Sequence, residues 1–266
     1  MLFDSHAHIN SEEYDSDRET IIKAIEDAKM SYVMDIGFDL ESSVKATEHA
    51  AKYPWCYAAV GCHPHDTNSM DEAAMIMFKG LAKKKKVQAI GEIGLDYYYD
   101  NSERDVQKYW FRRQIQLAIE LGMPIVIHDR DAHEDVLTIL KEEGVFSKSR
   151  LDKFNGDAKL LIHCFSGSSE LAKQYIKLGG TISIAGPITY KNAKKGIEVV
   201  ETIPLEKMLI ETDSPYLTPV PHRGKRNMPP FVEYTAAKIA EIKGISYEQV
   251  VNTTCQNAMK FFDIQD

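Results

Sequence analysis

Residues 88–93 read Gln-Ala-Ile-Gly-Glu-Ile, a short apolar run carrying one carboxylate, Glu92. The run is too continuous for a half-exposed strand and reads as a parallel strand buried on both faces. Working outward, similar runs recur at intervals of roughly 20–35 residues, the spacing of strand-plus-helix units. They are Leu2–Ser5, Tyr32–Ile36, Tyr57–Val60, Pro124–His128, Leu160–Cys164, Thr181–Ala185 and Met208–Glu211, which with Gln88–Ile93 make eight. Helical patterns with recognisable ends lie between them. Ser16 and Glu19 are spaced as a capping box ahead of Ile21, Ile22, Ile25 and Ala28. The segment Glu103–Leu121 is helical by pattern and is stopped by Gly122 and Pro124. Leu171–Leu178 runs into Gly179-Gly180, and two more helices are expected at Phe231–Lys243 and from Tyr247 onward, the last opened by Ser246 and Gln249. Eight strands alternating with helices predict a (β/α)8 TIM barrel, whose usual size is about 250 residues. An open doubly wound sheet is the alternative, but no Gly-x-Gly-x-x-Gly follows any strand. No composition break divides the chain, so a single domain over residues 1–266 is expected.

The net charge of −8 argues against a nucleic-acid coat held by a basic surface. It leaves open an enzyme that meets phosphate through bound metal. Cys56, Cys62, Cys164 and Cys255 are far apart with no Cys-x-x-Cys pair, so they read as reduced thiols of a cytoplasmic protein. Cys62 and Cys164 are expected to be small core residues. The N-terminus lacks the basic and apolar regions of a secretory signal. No apolar run approaches the ~18 residues a membrane span needs. Neither a membrane nor an obligate protein partner is evident.

The histidines cluster. His6 and His8 follow the first run, His63 and His65 the third, while His128 and His163 end the fifth and sixth. In a barrel those ends open onto one face, where active sites lie. Glu92 and Asp213 join the same rim. A lone histidine or acid there is ordinarily structural. The His-x-His pair is not isolated, however: residues two apart on a strand share a side, so His6 and His8 can approach one metal together. Four imidazoles, His6, His8, His128 and His163, with the carboxylates Glu92 and Asp213 make six ligands, more than one tetrahedral ion uses, and suit two divalent ions sharing a carboxylate. Mg2+, Mn2+ or Zn2+ all fit such a set.

At this point the chain resembles the TatD-type metal-dependent deoxyribonucleases, a family of amidohydrolase-like barrels. The resemblance rests on Asp-Ser-His-Ala-His at 4–8, Gly-Cys-His-Pro-His at 61–65 and Gly-Glu-Ile-Gly-Leu-Asp-Tyr at 91–97. It continues with His-Cys-Phe-Ser-Gly at 163–167, Glu-Thr-Asp-Ser-Pro-Tyr-Leu at 211–217 and Arg-Gly-Lys-Arg-Asn at 223–227. The resemblance implies that His6, His8, Glu92 and Asp213 bind one metal, and that His128 and His163 bind a second bridged by Glu92. Asn10 stands where that family commonly has Asp, and Met228 where an acidic residue is expected.

The expected activity is hydrolysis of DNA phosphodiesters, as an exonuclease on single-stranded or frayed ends. Glu92 and Asp213 are the catalytic candidates, Asp213 accepting a proton from the attacking water. His65, Arg130 and Arg223 are the substrate-binding candidates, Arg130 through a bidentate phosphate clamp. Arg223, Lys225 and Arg226 form a basic loop near the rim, whereas Lys83–Lys86 reads as a solvated face at the opposite end. Tyr97, Tyr98 and Tyr99 are candidates for stacking on bases, with Tyr98 expected to pack under its loop. The same metals could serve an amidohydrolase-like hydrolase of a small amide, lactone or phosphoester. A metal-stabilised binding protein is the non-enzymatic alternative.

Overall fold

The computed structural model describes residues 1–265; Asp266, the last position of the expected domain, lies outside the described residues. Eight strands hydrogen-bond in sequence order, every neighbouring pair parallel. They are β1 (Phe3–Ala7), β2 (Tyr32–Ile36), β3 (Cys56–Val60), β4 (Val87–Asp96), β5 (Ile125–Arg130), β6 (Leu160–Ile162), β7 (Thr181–Ile184) and β8 (Met208–Ile210). The barrel closes where β1 meets the segment after β8. Asp213 N donates to the His6 carbonyl at 2.9 Å and His8 N to that of Ser214 at 2.8 Å. This is the expected (β/α)8 TIM barrel.

The expected strand positions hold to within a few residues, but their ends shift. β1 and β5 extend through His6 and His128, and β4 runs on to Asp96, while β6 and β8 stop before His163 and Glu211. The helix Arg104–Leu121 ends as expected on Gly122, whose φ of 67° is the left-handed cap glycine adopts without steric cost. The Ser246 side chain accepts from Gln249 N to open the helix Tyr247–Phe261. The Ser16/Glu19 box does not form. The first long helix starts at Arg18, and Asp17 in the capping position makes no side-chain cap bond because its Oδ2 pairs with Arg226 instead.

Interior residues from seven strands form a plug: Phe3, Met34 with Ile36, Ala59, Ala89, Val126, Leu161 and Leu209. The C-terminal helix seals it from below through Cys255, Ala258 and Phe261. Alternation therefore brings His128, His163 and Glu211, each two residues beyond a plug residue, to the layer above. His6 and Glu92 break this parity, lying three residues beyond Phe3 and Ala89. Register irregularities between Asp4 and Ala7 and between Ile90 and Ile93 account for the break. A one-residue slip moves side chains to the opposite face. In β4 the slip leaves Ile93 and Leu95 in the outer core and sends Glu92 and Asp96 inward.

Candidate metal centre

Glu92, buried at the barrel mouth, faces two nests of donors. Its Oε2 lies 3.4 Å from His6 Nε2 and 3.6 Å from His8 Nε2. The same nitrogens are 3.7 and 3.4 Å from Asp213 Oδ1 and 3.3 Å from each other. Donors arranged tetrahedrally about ~2.1 Å from an ion sit ~3.4 Å apart, so these separations fit one divalent cation. The other oxygen, Oε1, is 2.7 Å from His163 Nε2, 2.9 Å from His128 Nδ1 and 3.5 Å from His63 Nε2. His163 Nε2 and His128 Nδ1 are 3.5 Å apart. His6–His8–Glu92 and His63–Glu92–His128 are each close enough to hold an ion, as is a third group, His6–His163–Glu211.

The barrel seam makes this convergence possible. The two closing hydrogen bonds hold His6 and His8 against Asp213, which adopts a left-handed backbone with φ of 55°. Such conformations cost on the order of 1–3 kcal/mol outside glycine and gather at functional sites. Second partners aim the rings: His8 Nδ1 pairs with the Ile36 carbonyl at 2.8 Å, leaving Nε2 toward Glu92. Asp96 Oδ2 takes both His65 Nε2 at 2.9 Å and His128 Nε2 at 3.0 Å. Glu211, fully buried, accepts from Cys164 N at 2.6 Å and Ser183 Oγ at 2.5 Å, and faces His163 Nδ1 at 3.4 Å. Asn10 donates to Asp35 Oδ1 through its backbone and side-chain nitrogens at 3.1 and 2.6 Å. An aspartate at position 10 would set two buried carboxylates against each other, which explains the departure there. Met228 packs partly buried against the core.

Without a cation the charges arrange themselves around Glu92. Burial opposes ionisation of Glu92, but His163, His63 and His128 outweigh it and hold the carboxyl well below its usual range. Burial likewise disfavours protonated His8, yet Asp213 and Glu92 push it up to about 9. His163 is raised by Glu92 and Glu211 against its burial, and burial keeps His63 neutral.

The six residues expected as ligands therefore lie together at the barrel mouth. The sequence reading places His63 on the rim but not among the expected ligands, and it passes over Asp96 and Glu211, although both lie in the quoted motifs. Cys164 is not a core residue as expected. It follows β6 with φ of 44°, is half-buried, and its thiol is pushed up by burial and by Asp213, Glu211 and Glu92. The turn ends the strand alternation on which that expectation relied. Tyr98 also departs from expectation: it is 60% exposed, beside Tyr99 at 54%. Asp96 Oδ1 accepts from the backbone N–H groups of Tyr98 and Tyr99 at 3.0 and 2.9 Å, turning the chain outward. Tyr97 is the packed ring, donating to Asp135 at 2.6 Å. The Arg130 guanidinium lies 4.3 and 4.8 Å from the Tyr98 and Tyr99 ring centres, and His65 meets Tyr99 edge-on at 5.4 Å. Arg223 is exposed and lies over Tyr190 at 4.3 Å. Arg226 is tied to Asp17 and the Glu13 carbonyl, which removes it from the basic loop.

The family model for TatD related DNase matches residues 3–263. The chain belongs to the TatD family. Metal-dependent hydrolase YabD of Bacillus subtilis (strain 168) is 47% identical over 264 residues, covering 99% of this chain and all of that protein. The 3'-5' ssDNA/RNA exonuclease TatD of Cronobacter sakazakii is 32% identical over 268 residues, 98% of this chain and 97% of that one. The crystal structure of YjjV, a TatD homolog from Escherichia coli K12, superposes with a TM-score of 0.88 at 25% identity, covering 99% and 98% of the two chains. This TatD-family chain is thus a metal-dependent hydrolase whose barrel mouth holds clusters that could bind metal. Among the described residues no helix is long and apolar enough to cross a membrane.

Proposed function

We propose that the chain hydrolyses phosphodiesters at single-stranded DNA ends with two divalent cations, Mg2+, Mn2+ or Zn2+, one on each side of Glu92. The observation that carries this reading is the division of Glu92, whose two oxygens each face a separate set of imidazoles. His6, His8, Asp213 and Glu92 Oε2 would hold one cation, and His128, His163 and Glu92 Oε1 the other. Bound there, the cations would supply Lewis acidity, acidifying water toward neutral pH and neutralising phosphate charge.

The protein's own groups complete the chemistry. Asp213 is only partly shielded, its side chain 15% exposed, and stays anionic because His8 counters the effect of burial. It is the base that takes a proton from the attacking water. Arg130 stands at the end of β5 with its guanidinium fork oriented by Tyr98 and Tyr99, a geometry suited to gripping a phosphate. The exposed tyrosines offer ring surface to unpaired bases, favouring single strands over duplex. Asp96 holds His65 Nε2, leaving Nδ1 as the nitrogen that can meet substrate. Arg223, exposed on the loop after β8 and lying over Tyr190, would offer a second cation to the substrate backbone. The name of the Cronobacter relative as a single-strand exonuclease supports this choice of substrate.

The test is incubation with labelled oligonucleotides, single-stranded or duplex, blocked at the 3′ or 5′ end, across Mg2+, Mn2+ and Zn2+. Stepwise shortening of single strands from one unblocked end is expected, and Glu92→Ala should abolish it. Intact DNA alongside cleavage of a small ester or lactone would overturn the substrate assignment.

A further inference from the structure

The lysine run at 83–86 lies at the opposite end of the barrel, as its position before β4 requires, with Lys83, Lys84 and Lys85 exposed as a solvated face would be and Lys86 half-buried. The segments leading into β4, β5 and β6 meet there around a cavity of about 710 Å3. Its walls carry Lys83, Lys84, Lys86, Lys153, Lys159 and Lys260 against two aspartates, Asp157 and Asp263. Among the described residues none of these six lysines forms an ion pair; the lysines that do, such as Lys45, Lys79 and Lys108, lie elsewhere.

Three of the six are held by neutral oxygens. Lys84 Nζ donates to Thr47 Oγ1 at 3.2 Å, and Lys86 Nζ to the Tyr53 and Pro54 carbonyls at 2.7 and 3.0 Å. Lys159 Nζ donates to the carbonyls of Lys260 and Phe261 at 2.6 and 2.8 Å, at the end of the C-terminal helix. These bonds fix the ammonium groups without neutralising them. Burial pushes Lys86 and Lys159, both half-buried, below the usual lysine range. In a chain of net charge −8, six lysines against two aspartates leave this hollow net positive, which favours an anion there.

We propose that this cavity binds a compact polyphosphate, free or as the phosphate chain of a nucleotide. A concave site of this size suits a small ligand. A nucleic-acid strand, with its charges spread along roughly 3.4 Å steps, needs an extended track instead. Apolar surface from Met123, Pro124 and Phe154 completes one wall, with Lys153 Nζ 5.3 Å from the Phe154 ring centre. Gln88 lines the cavity and Glu92 lies four residues along the same strand, so about 13 Å of barrel separates this site from the metal centre. The apolar plug lies between them.

The test is calorimetric titration of the metal-loaded protein with inorganic tripolyphosphate at buffered free Mg2+, comparing wild type with the Lys83→Ala/Lys153→Ala/Lys260→Ala variant. All three side chains are exposed, so folding and DNA hydrolysis should be unchanged. Binding about tenfold weaker or more is expected, since one charge-assisted hydrogen bond is worth that much. In the wild type, tripolyphosphate should shield Lys83, Lys153 and Lys260, but not Lys23, from acetylation read by mass spectrometry. This footprint decides the matter even if the triple variant fails to fold. Equal affinity for ATP and tripolyphosphate would assign recognition to the phosphate chain, and tighter ATP binding would add the apolar wall; either supports the site. Equal tripolyphosphate binding by wild type and variant, or lysines left unshielded, would overturn it. Shielding by a single-stranded oligodeoxynucleotide but not by tripolyphosphate would overturn it in favour of a nucleic-acid track.

Discussion

Replacing Asp96 by asparagine exchanges one carboxylate oxygen for an amino group and, on this geometry, moves a ring proton. Each oxygen of the buried carboxylate serves two partners: Oδ1 the backbone N–H groups of Tyr98 and Tyr99, Oδ2 the Nε2 atoms of His65 and His128. Asparagine offers only one acceptor oxygen. The backbone groups can only donate, so that oxygen stays with them and the amino group turns toward the imidazoles. Each ring must then accept through Nε2, which leaves its proton on Nδ1. In His128 that is the atom facing Glu92 Oε1 at 2.9 Å and His163 Nε2 at 3.5 Å, and a protonated nitrogen cannot bind a cation. An aspartate-to-asparagine change behind a serine-protease histidine imposes the wrong tautomer in the same way. Loss of such an orienting partner costs about 10–100-fold in metal affinity, or ~1.4–2.7 kcal/mol. The loss should fall on the His128–His163 nest. The His6–His8–Asp213 nest shares no hydrogen bond with Asp96 and is coupled to it only through Glu92, so its affinity should fall clearly less. Mn2+ titration of the metal-free variant, fitted to two sites and paired with DNA hydrolysis, reads both. Unchanged binding at both sites, or equal loss at both, would refute the reasoning.

Three further outcomes are expected. Tyr98→Ala should raise KM for single-stranded DNA by about 5–150-fold, from ~1–3 kcal/mol for one stacked base, while hydrolysis of a small phosphodiester, with Arg130 still held beside Tyr99, falls far less. Equal loss on both substrates would contradict the stacking role. Gly94→Ala should destabilise the fold by about 2–5 kcal/mol in chemical denaturation, because its φ is +152° and a Cβ there would sit 1.9 Å from the His128 carbonyl oxygen. An unchanged midpoint would contradict that close approach. Since His8 titrates at about 9 without metal, a cation binding its Nε2 at neutral pH must release a proton, and affinity should rise about tenfold per pH unit for each proton displaced. Calorimetry between pH 6 and 8 in buffers of different ionisation enthalpy measures that release, and finding none would remove the imidazole from the site.

The barrel was legible because its strands are short, continuous and apolar, and because a strand buried on both faces leaves little room for another reading. The candidate metal centre was legible because its histidines and acids fall at strand ends, wherever each side chain points. What escaped depends on contacts between distant segments. The inward turn of His6 and Glu92 comes from register irregularities in β1 and β4, which neighbouring strands impose. Asp96 and Glu211 lay within recognisable motifs, yet their roles appear only once His128 and His163 stand beside them. Tyr98 was misjudged because the turn that exposes it is made by Asp96 Oδ1. The Ser16/Glu19 pattern failed because Asp17 took the capping position and Arg226, far along the chain, claimed its carboxylate. The lysine cavity draws on three strand starts and the C-terminal helix, so no one stretch of sequence announces it.

The central claim is that Glu92 divides two cations between its oxygens. Diffraction from Mn2+-loaded crystals at the manganese edge tests it most directly. Two anomalous peaks are expected, one against His6 Nε2, His8 Nε2 and Asp213, the other against His128 and His163, each within about 2.0–2.3 Å of a Glu92 oxygen. A single peak, or two of which one leaves Glu92 untouched, would contradict the account.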